Sequence, residues 1–235
     1  MVRYFLFAKI FLLCSPHNPV GRVWTKPELE QIVRICLKHD LFIISDEIHF
    51  DIVFPPHRHT VLSTVDPDIV KRSVVCTSPS KSFNIAGLQV SNIIIPNEQI
   101  RKQYEQAALS CGFYSLNCLA YPACVTAYNE AQPWLEAMLE YVAANDQHIR
   151  DWAKTDHPEL VISPLEATTL QWIDFSAWNL DPQELQNTMR NKARIFFEEG
   201  PVFGEEGNRF ERFNIAYPRS IIDEVLRRIN ESASS

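Results

Sequence analysis

Leu41-Phe42-Ile43-Ile44-Ser45-Asp46-Glu47 runs apolar without alternation and then stops at two carboxylates. A strand that is apolar on both sides is covered on both faces, as in a parallel sheet flanked by helices. The neighbouring sequence supplies those helices and further strands. Upstream, Thr25 and Glu28 form a capping box, in which each side chain accepts a backbone N–H at a helix start. Leu29, Ile32, Val33 and Cys36 follow at helical spacing. Ile10 to Cys14 reads as the strand before that helix, and Ser73 to Thr77 and Val90 to Ile95 as strands after it. Strand and helix in alternation predict an α/β domain with a mainly parallel sheet.

The second half has a different character. Trp134, Leu135, Met138, Leu139, Val142, Ile149 and Trp152 mark a long amphipathic helix from Pro133 to Lys154. Two strand candidates follow, Leu160 to Ser163 and Thr169 to Phe175. Asp181 and Glu184 form a second capping box before a helix ending near Ala193. Arg212 to Ala216 reads as a strand and Ile221 to Ile229 as a terminal helix. The change falls near residues 129 to 133, which assigns residues 1–130 to the α/β domain and residues 131–235 to a smaller α+β domain.

Composition excludes several classes. With 46% hydrophobic and 22% charged residues, the 235-residue chain is neither disordered, collagen-like nor coiled coil. Its 22 Lys and Arg against 29 Asp and Glu give a net charge of −7, which repels phosphate backbones and argues against a nucleic-acid partner. The apolar run from Tyr4 to Cys14 is too short for a membrane span, is interrupted by Lys9 and precedes no small-residue cleavage site. No membrane partner is expected. The six cysteines contain no C-x-x-C pair and sit mostly in apolar runs, as buried reduced thiols of a cytoplasmic protein do. His57 and His59 flank Arg58 in a Pro-rich loop and read as solvated, so no metal site is expected.

Ligands of open α/β sheets bind at the carboxyl ends of the strands. Three polar residues fall at such ends: Asn18 after the first strand, Asp46 after the second and Lys81 after the third. An amide, a carboxylate and an amine there suit pyridoxal 5'-phosphate. That cofactor needs a lysine for its Schiff base and an acid beside its ring nitrogen.

Four motifs in order then carry a resemblance. They are Asn18-Pro19-Val20-Gly21-Arg22; Ser45-Asp46-Glu47-Ile48-His49; Ser78-Pro79-Ser80-Lys81-Ser82-Phe83-Asn84 with Ile85-Ala86-Gly87-Leu88; and Arg212-Phe213-Asn214-Ile215-Ala216-Tyr217-Pro218-Arg219. With Ser163-Pro164-Leu165-Glu166-Ala167-Thr168 in the second domain, the chain resembles fold-type-I pyridoxal-phosphate enzymes of the aminotransferase class I/II superfamily. More narrowly, it is similar to the cystathionine β-lyase (cysteine-S-conjugate β-lyase) branch. The resemblance implies that the first domain is part of a mainly parallel-sheet large domain.

It also implies roles. Lys81 would hold the cofactor and move the Cα proton, Asp46 would pair with the ring nitrogen, and Asn18 would hydrogen-bond the phenolic oxygen. Ser78 and Ser80 could hold the phosphate, with Ser78 favoured; helix-capping serines look the same in sequence. Arg212 would grip the substrate carboxylate with its planar fork. Arg219, after a proline at a helix start, reads as structural.

Two departures stand out. His49 occupies the position where aminotransferases of the superfamily usually carry Tyr, as it does in the lyase branch, though a core histidine explains it equally well. Gln89 stands where aminotransferases often have Arg.

Family members run to nearly twice this length, so the chain resembles their carboxyl-terminal portion. The missing part would supply a phosphate-binding helix N-terminus, a ring stacked on the pyridine and groups across a homodimer. Its loss would leave runs such as Phe42-Ile43-Ile44 and Ile93-Ile94-Ile95 partly open and the cofactor weakly held. The implied activity is carbon–sulfur β-elimination from cystathionine or another cysteine S-conjugate, giving thiol, pyruvate and ammonia. An aminotransferase and a non-catalytic binding remnant are the alternatives.

Overall fold

The computed structural model describes residues 8–233, so the Tyr4 to Phe7 part of the amino-terminal apolar run lies outside the described residues. The chain divides into two compact units, residues 1–16 with 23–135 and residues 17–22 with 136–235.

The first unit is built on a four-stranded sheet in the order β1 (Ile10–Cys14), β2 (Phe42–Asp46), β3 (Ser73–Thr77), β4 (Asn92–Ile94). The first three strands are parallel and β4 is antiparallel to β3. Helix α1 (Lys26–Lys38) makes the crossover from β1 to β2, and both bonds of its Thr25–Glu28 capping box form. Leu29, Val33 and Cys36 on its buried face pack with Leu13, Leu41, Ile43, Leu62, Ile69 and Val75 into the core. The Trp24 indole donates to the Cys14 carbonyl at 2.9 Å, tying the helix approach to the end of β1.

The Phe42-Ile43-Ile44 run is partly open, as expected: Ile43 is 0% exposed in the core, while Phe42 and Ile44 on either side of it are half-buried. Ile94, in the second run expected to be partly open, is 48% exposed on the edge strand β4, and Leu12 of the other edge strand, β1, is 73% exposed. Three helices in this unit carry too weak a pattern to be read from sequence. They are the single turn α2 (Pro79–Ser82), α3 (Glu98–Ser110) and α4 (Ala120–Glu130). No residue of α3 is buried, so it lacks the apolar stripe that marks a core-facing helix.

The division between units falls within α5 (Gln132–Asp156). The second unit has an antiparallel sheet in the order β5 (Val161–Ile162), β6 (Leu170–Asp174), β8 (Phe210–Asn214), β7 (Glu198–Glu199). Its helices are the later part of α5, α6 (Pro182–Asn187) with its Asp181–Glu184 capping box, and α7 (Arg219–Ala233). Val142, Ile149, Ile173, Phe213, Ile222, Leu226 and Ile229 are buried in its core. Asn145, buried among them, donates to the carbonyls of Ile215 at 2.8 Å and Tyr217 at 3.0 Å. Its own oxygen accepts from Arg219 Nε at 2.9 Å, a contact that fits the structural reading of Arg219.

Side chains alternate along β8: Glu211 and Phe213 are buried, while Arg212 between them turns to the other face. Glu211 lies in register with Glu199 of β7, which is paired with Arg190. Burial and the Glu199 charge push the Glu211 carboxyl from 4.5 up to about 7, against the opposing effect of Arg190. A carboxyl raised in the folded state favours folding while it is protonated. Its contribution is complete below the ordinary value and lost as pH rises through about 7. The chain should therefore melt at a higher temperature at pH 5 than at pH 8, and Glu211→Gln should flatten that difference. Parallel melting curves for the chain and the variant over this range check it; unchanged pH dependence in Glu211→Gln would refute the assignment.

Candidate functional site

The expected site residues fall in both units. Asp46, His49, Ser78, Ser80 and Lys81 belong to the first, and Asn18 and Arg212 to the second.

In the first unit, β2 and β3 are parallel, with Asp46 in register with Cys76. Asp46 and the turn that carries Lys81 thus follow the same ends of adjacent strands. The Asp46 carboxylate is exposed and accepts the Ile48 N–H at 3.1 Å, which turns the chain off the strand. Ser78 is the N-cap of α2: its Oγ accepts the Ser80 N–H at 3.0 Å and donates to the Val90 carbonyl at 2.6 Å. The capping reading therefore accounts for its buried hydroxyl. Ser80 Oγ lies 2.5 Å from Ser78 Oγ and is less deeply buried. Lys81 projects from the turn, exposed, and its amine makes no hydrogen bond or ion pair among the described residues.

Beneath Asp46 lies a polar cluster that the sequence reading missed. Glu47 is 0% exposed. Its Oε1 accepts from Ser45 Oγ at 2.9 Å and the Leu62 N–H at 3.0 Å, and His59 Nε2 donates to its Oε2 at 2.7 Å. The expectation of a solvated His59 is corrected accordingly: His57 is exposed, but the loop folds back and seats His59 on a buried carboxylate. His49 is buried, 5% exposed. Asp51 accepts from Ser82 Oγ at 2.9 Å. Burial raises its carboxyl above the ordinary value, while the Ser82 hydrogen bond and the His59 charge act against that rise. The available signal was Glu47 itself, a second carboxylate directly after Asp46 at the end of an apolar strand. Cys76, next to this cluster, has its thiol pushed up by burial and then by the charges of Asp46 and Glu47.

In the second unit, residues 17–22 form a turn closed by His17 and Arg22. Gly21 sits there at φ +75°, and a Cβ on it would meet Leu165 Cδ1 at 3.0 Å and the Ala167 carbonyl at 3.1 Å. Only glycine combines that backbone angle with that approach. The Gly21 carbonyl accepts the N–H groups of Glu166 at 2.9 Å and Ala167 at 2.8 Å, which docks the turn. So docked, Asn18 accepts from Arg212 Nη1 through its Oδ1 at 2.7 Å. The Arg212 guanidinium also pairs with Glu198 across the β7–β8 ladder and lies 5.0 Å from the centre of the Phe203 ring. The sequence reading placed no strand at Glu198–Glu199, a segment too short to show alternation.

No helix among the described residues is long and apolar enough to cross a membrane. Among the same residues, no group of three or more His, Cys, Asp or Glu side chains could hold a metal ion.

Residues 6–229 match the family model for aminotransferase class I and II. The chain is 36% identical over 225 residues to the cystathionine β-lyase PatB of Bacillus subtilis (strain 168), covering 96% of this chain and 58% of that protein. It is 38% identical over 216 residues to the protein MalY of Escherichia coli (strain K12), covering 92% of this chain and 55% of the relative. Among solved structures, cystalysin from Treponema denticola, which contains a pyridoxal 5'-phosphate cofactor, superposes with a TM-score of 0.94 at 43% identity. That match covers 96% of this chain and 57% of cystalysin. The pyridoxal-phosphate-bound C-S lyase from Staphylococcus hominis gives a TM-score of 0.88 at 32% identity, covering 97% of this chain and 59% of that one. The chain spans little more than half the length of these relatives.

Proposed function

The chain belongs to the aminotransferase class I and II family, and from that premise we propose that it carries the lysine-bearing part of a pyridoxal-phosphate-dependent carbon–sulfur β-lyase. The substrate is a small amino acid, cystathionine or another cysteine S-conjugate, and the products are a thiol, pyruvate and ammonia. One observation carries the reading: the amine of Lys81, which makes no hydrogen bond or ion pair among the described residues, and the exposed carboxylate of Asp46 follow adjacent parallel strands that pair in register.

These donors fit the cofactor chemically. When bound, pyridoxal phosphate supplies an electron-accepting ring. Asp46 would keep a proton on the ring nitrogen through a charge-assisted hydrogen bond. Ser80, in place of the Ser78 favoured from the sequence, would offer its hydroxyl to the phosphate, because the Ser78 hydroxyl is taken up by the Ser80 N–H and the Val90 carbonyl. Lys81 would hold the cofactor and then take the proton from the substrate Cα. Buried His49 would help shape the cofactor-binding surface at the Asp46 strand end. In the second unit, Arg212 would bind the substrate α-carboxylate, and the Asn18 amide N–H would serve the phenolic oxygen while its carbonyl holds Arg212.

Relatives at 36% and 32% identity are a cystathionine β-lyase and a C-S lyase, and they favour elimination over amino transfer. His49 in place of the usual tyrosine supports the same choice. The reading also includes a cytoplasmic homodimer. All six cysteines are free thiols, in keeping with a reducing compartment. Leu109, Phe113, Tyr114, Leu119 and Tyr121 present exposed apolar surface on and between α3 and α4, of the kind a second subunit covers.

The test is to supply the chain, completed with the amino-terminal half of a relative, with pyridoxal phosphate and a cysteine S-conjugate, with and without 2-oxoglutarate. Thiol and pyruvate should appear in equal amounts in both cases. Amino transfer to 2-oxoglutarate without thiol release would replace this reading with the aminotransferase.

A further inference from the structure

We propose that Asp51 is a positioning residue for Lys81, acting through Ser82; the inference rests on the role given to Lys81 above. The helix that carries Lys81, α2, is a single turn from Pro79 to Ser82. One turn of helix has no stability of its own, because nucleation is unfavourable and every terminal N–H and C=O needs an outside partner. Its geometry is therefore set by what grips its two ends.

The leading end is gripped by Ser78, which caps Ser80 and is itself fixed to the Val90 carbonyl. The trailing end is gripped by Ser82, whose side chain is fully buried and donates to Asp51 Oδ2 at 2.9 Å. Lys81 lies between the two grips and makes no hydrogen bond or ion pair among the described residues. With none among those residues to hold the amine, the point from which the side chain projects is set by the backbone of the turn.

Asp51 is itself held in place. It approaches α2 from the segment that follows β2, so the bond joins the Asp46 strand to the Lys81 turn. Two other titratable groups face it, His59 from the same loop and Tyr128 from α4. Burial, followed by the Asp51 charge, drives the Tyr128 phenol above its ordinary value, so Tyr128 stays a neutral wall. The Phe83 ring, next after Ser82, packs edge-on against Tyr128 with centroids 5.6 Å apart. A half-buried carboxylate that accepts a hydrogen bond from the residue after Lys81 is placed to fix that turn.

The experiment compares Asp51→Ala, Ser82→Ala, the double variant and Asp51→Asn with the unaltered chain. Two quantities are read, neither of them catalytic activity. The first, without cofactor, is amide exchange at Phe83, whose N–H closes the α2 turn on the Pro79 carbonyl. The second is the amount of pyridoxal phosphate fixed to Lys81 by borohydride at limiting cofactor, measured by peptide mapping.

Asp51→Ala and Ser82→Ala should each speed Phe83 exchange and lower Lys81 labelling by about tenfold, the scale of one hydrogen bond to a charged group. The double variant should do no worse than either single one, since both remove the same bond. Asp51→Asn keeps an acceptor for the Ser82 hydroxyl and should stay within about twofold of the unaltered chain. If Ser82→Ala, which removes only a hydroxyl, leaves Phe83 exchange or Lys81 labelling unchanged, the proposal is overturned whatever Asp51→Ala does. A label on another lysine in the unaltered chain would instead overturn the role of Lys81, while the Phe83 exchange data would still report whether Asp51 anchors the turn.

Discussion

Replacing Lys81 with alanine is expected to lower pyruvate formation from a cysteine S-conjugate by about a thousandfold, the scale lost when a general acid–base group is removed, with more lost because the cofactor is no longer held. The fold should not notice. Lys81 is exposed and makes no hydrogen bond or ion pair among the described residues, so its removal leaves no buried group unsatisfied. Lys81→Arg sharpens the test. It keeps a positive charge at the position but presents a guanidinium that stays protonated at working pH and cannot act as a neutral amine. Both variants should melt with the unaltered chain and fail alike in turnover. Substantial turnover in Lys81→Arg would mean that charge, and not a nucleophilic amine, is what the position supplies.

The largest effect on stability is expected at Glu47. Its carboxylate is fully buried and receives three donors: the Ser45 hydroxyl, the Leu62 N–H and the His59 imidazole. Glu47→Ala leaves the two buried donors and the histidine without their acceptor. Removing one partner from such an arrangement costs about 3–5 kcal/mol. Domains are stable by only about 5–15 kcal/mol, so the first unit would approach its unfolding threshold. Urea denaturation followed by tryptophan fluorescence measures the loss, with Trp24 reporting on this unit. Glu47→Gln keeps a carbonyl acceptor of the same shape and should lose less. A loss below about 1 kcal/mol for Glu47→Ala, the range of an exposed pair, would show that the cluster is not the anchor of the 48–61 loop.

The fold was legible wherever burial on both faces removed ambiguity. Leu41 to Ser45 could be read as a central strand because nothing in it alternates, and β2 does lie between two parallel neighbours. Both capping boxes were readable because the hydrogen-bonding pair lies within one turn of helix, and both form. What escaped was structure set by distant contacts. Helix α3 shows no apolar stripe since it buries nothing among the described residues, and β7 is a two-residue strand defined by its ladder to β8.

The same division holds for the candidate site. Asp46 and Lys81 could be placed because their positions follow from strand ends, which hydrophobic runs mark. His59 could not, since twelve residues separate it from Glu47 and a Pro-rich loop looks solvated until its return path is known. The partners of Arg212 were equally invisible: Asn18 is 194 positions away, and Glu198 belongs to the strand that could not be seen.

The central claim is that Lys81 is the residue that takes the cofactor. Its most direct test is borohydride reduction of the chain with saturating pyridoxal phosphate, followed by peptide mapping of the fixed label. The label is expected on the Ser78–Phe83 segment at Lys81, and Asp46→Ala, which leaves the lysine intact, should still carry it there. A label concentrated on Lys71 or Lys102, with Lys81 unmodified, would contradict it.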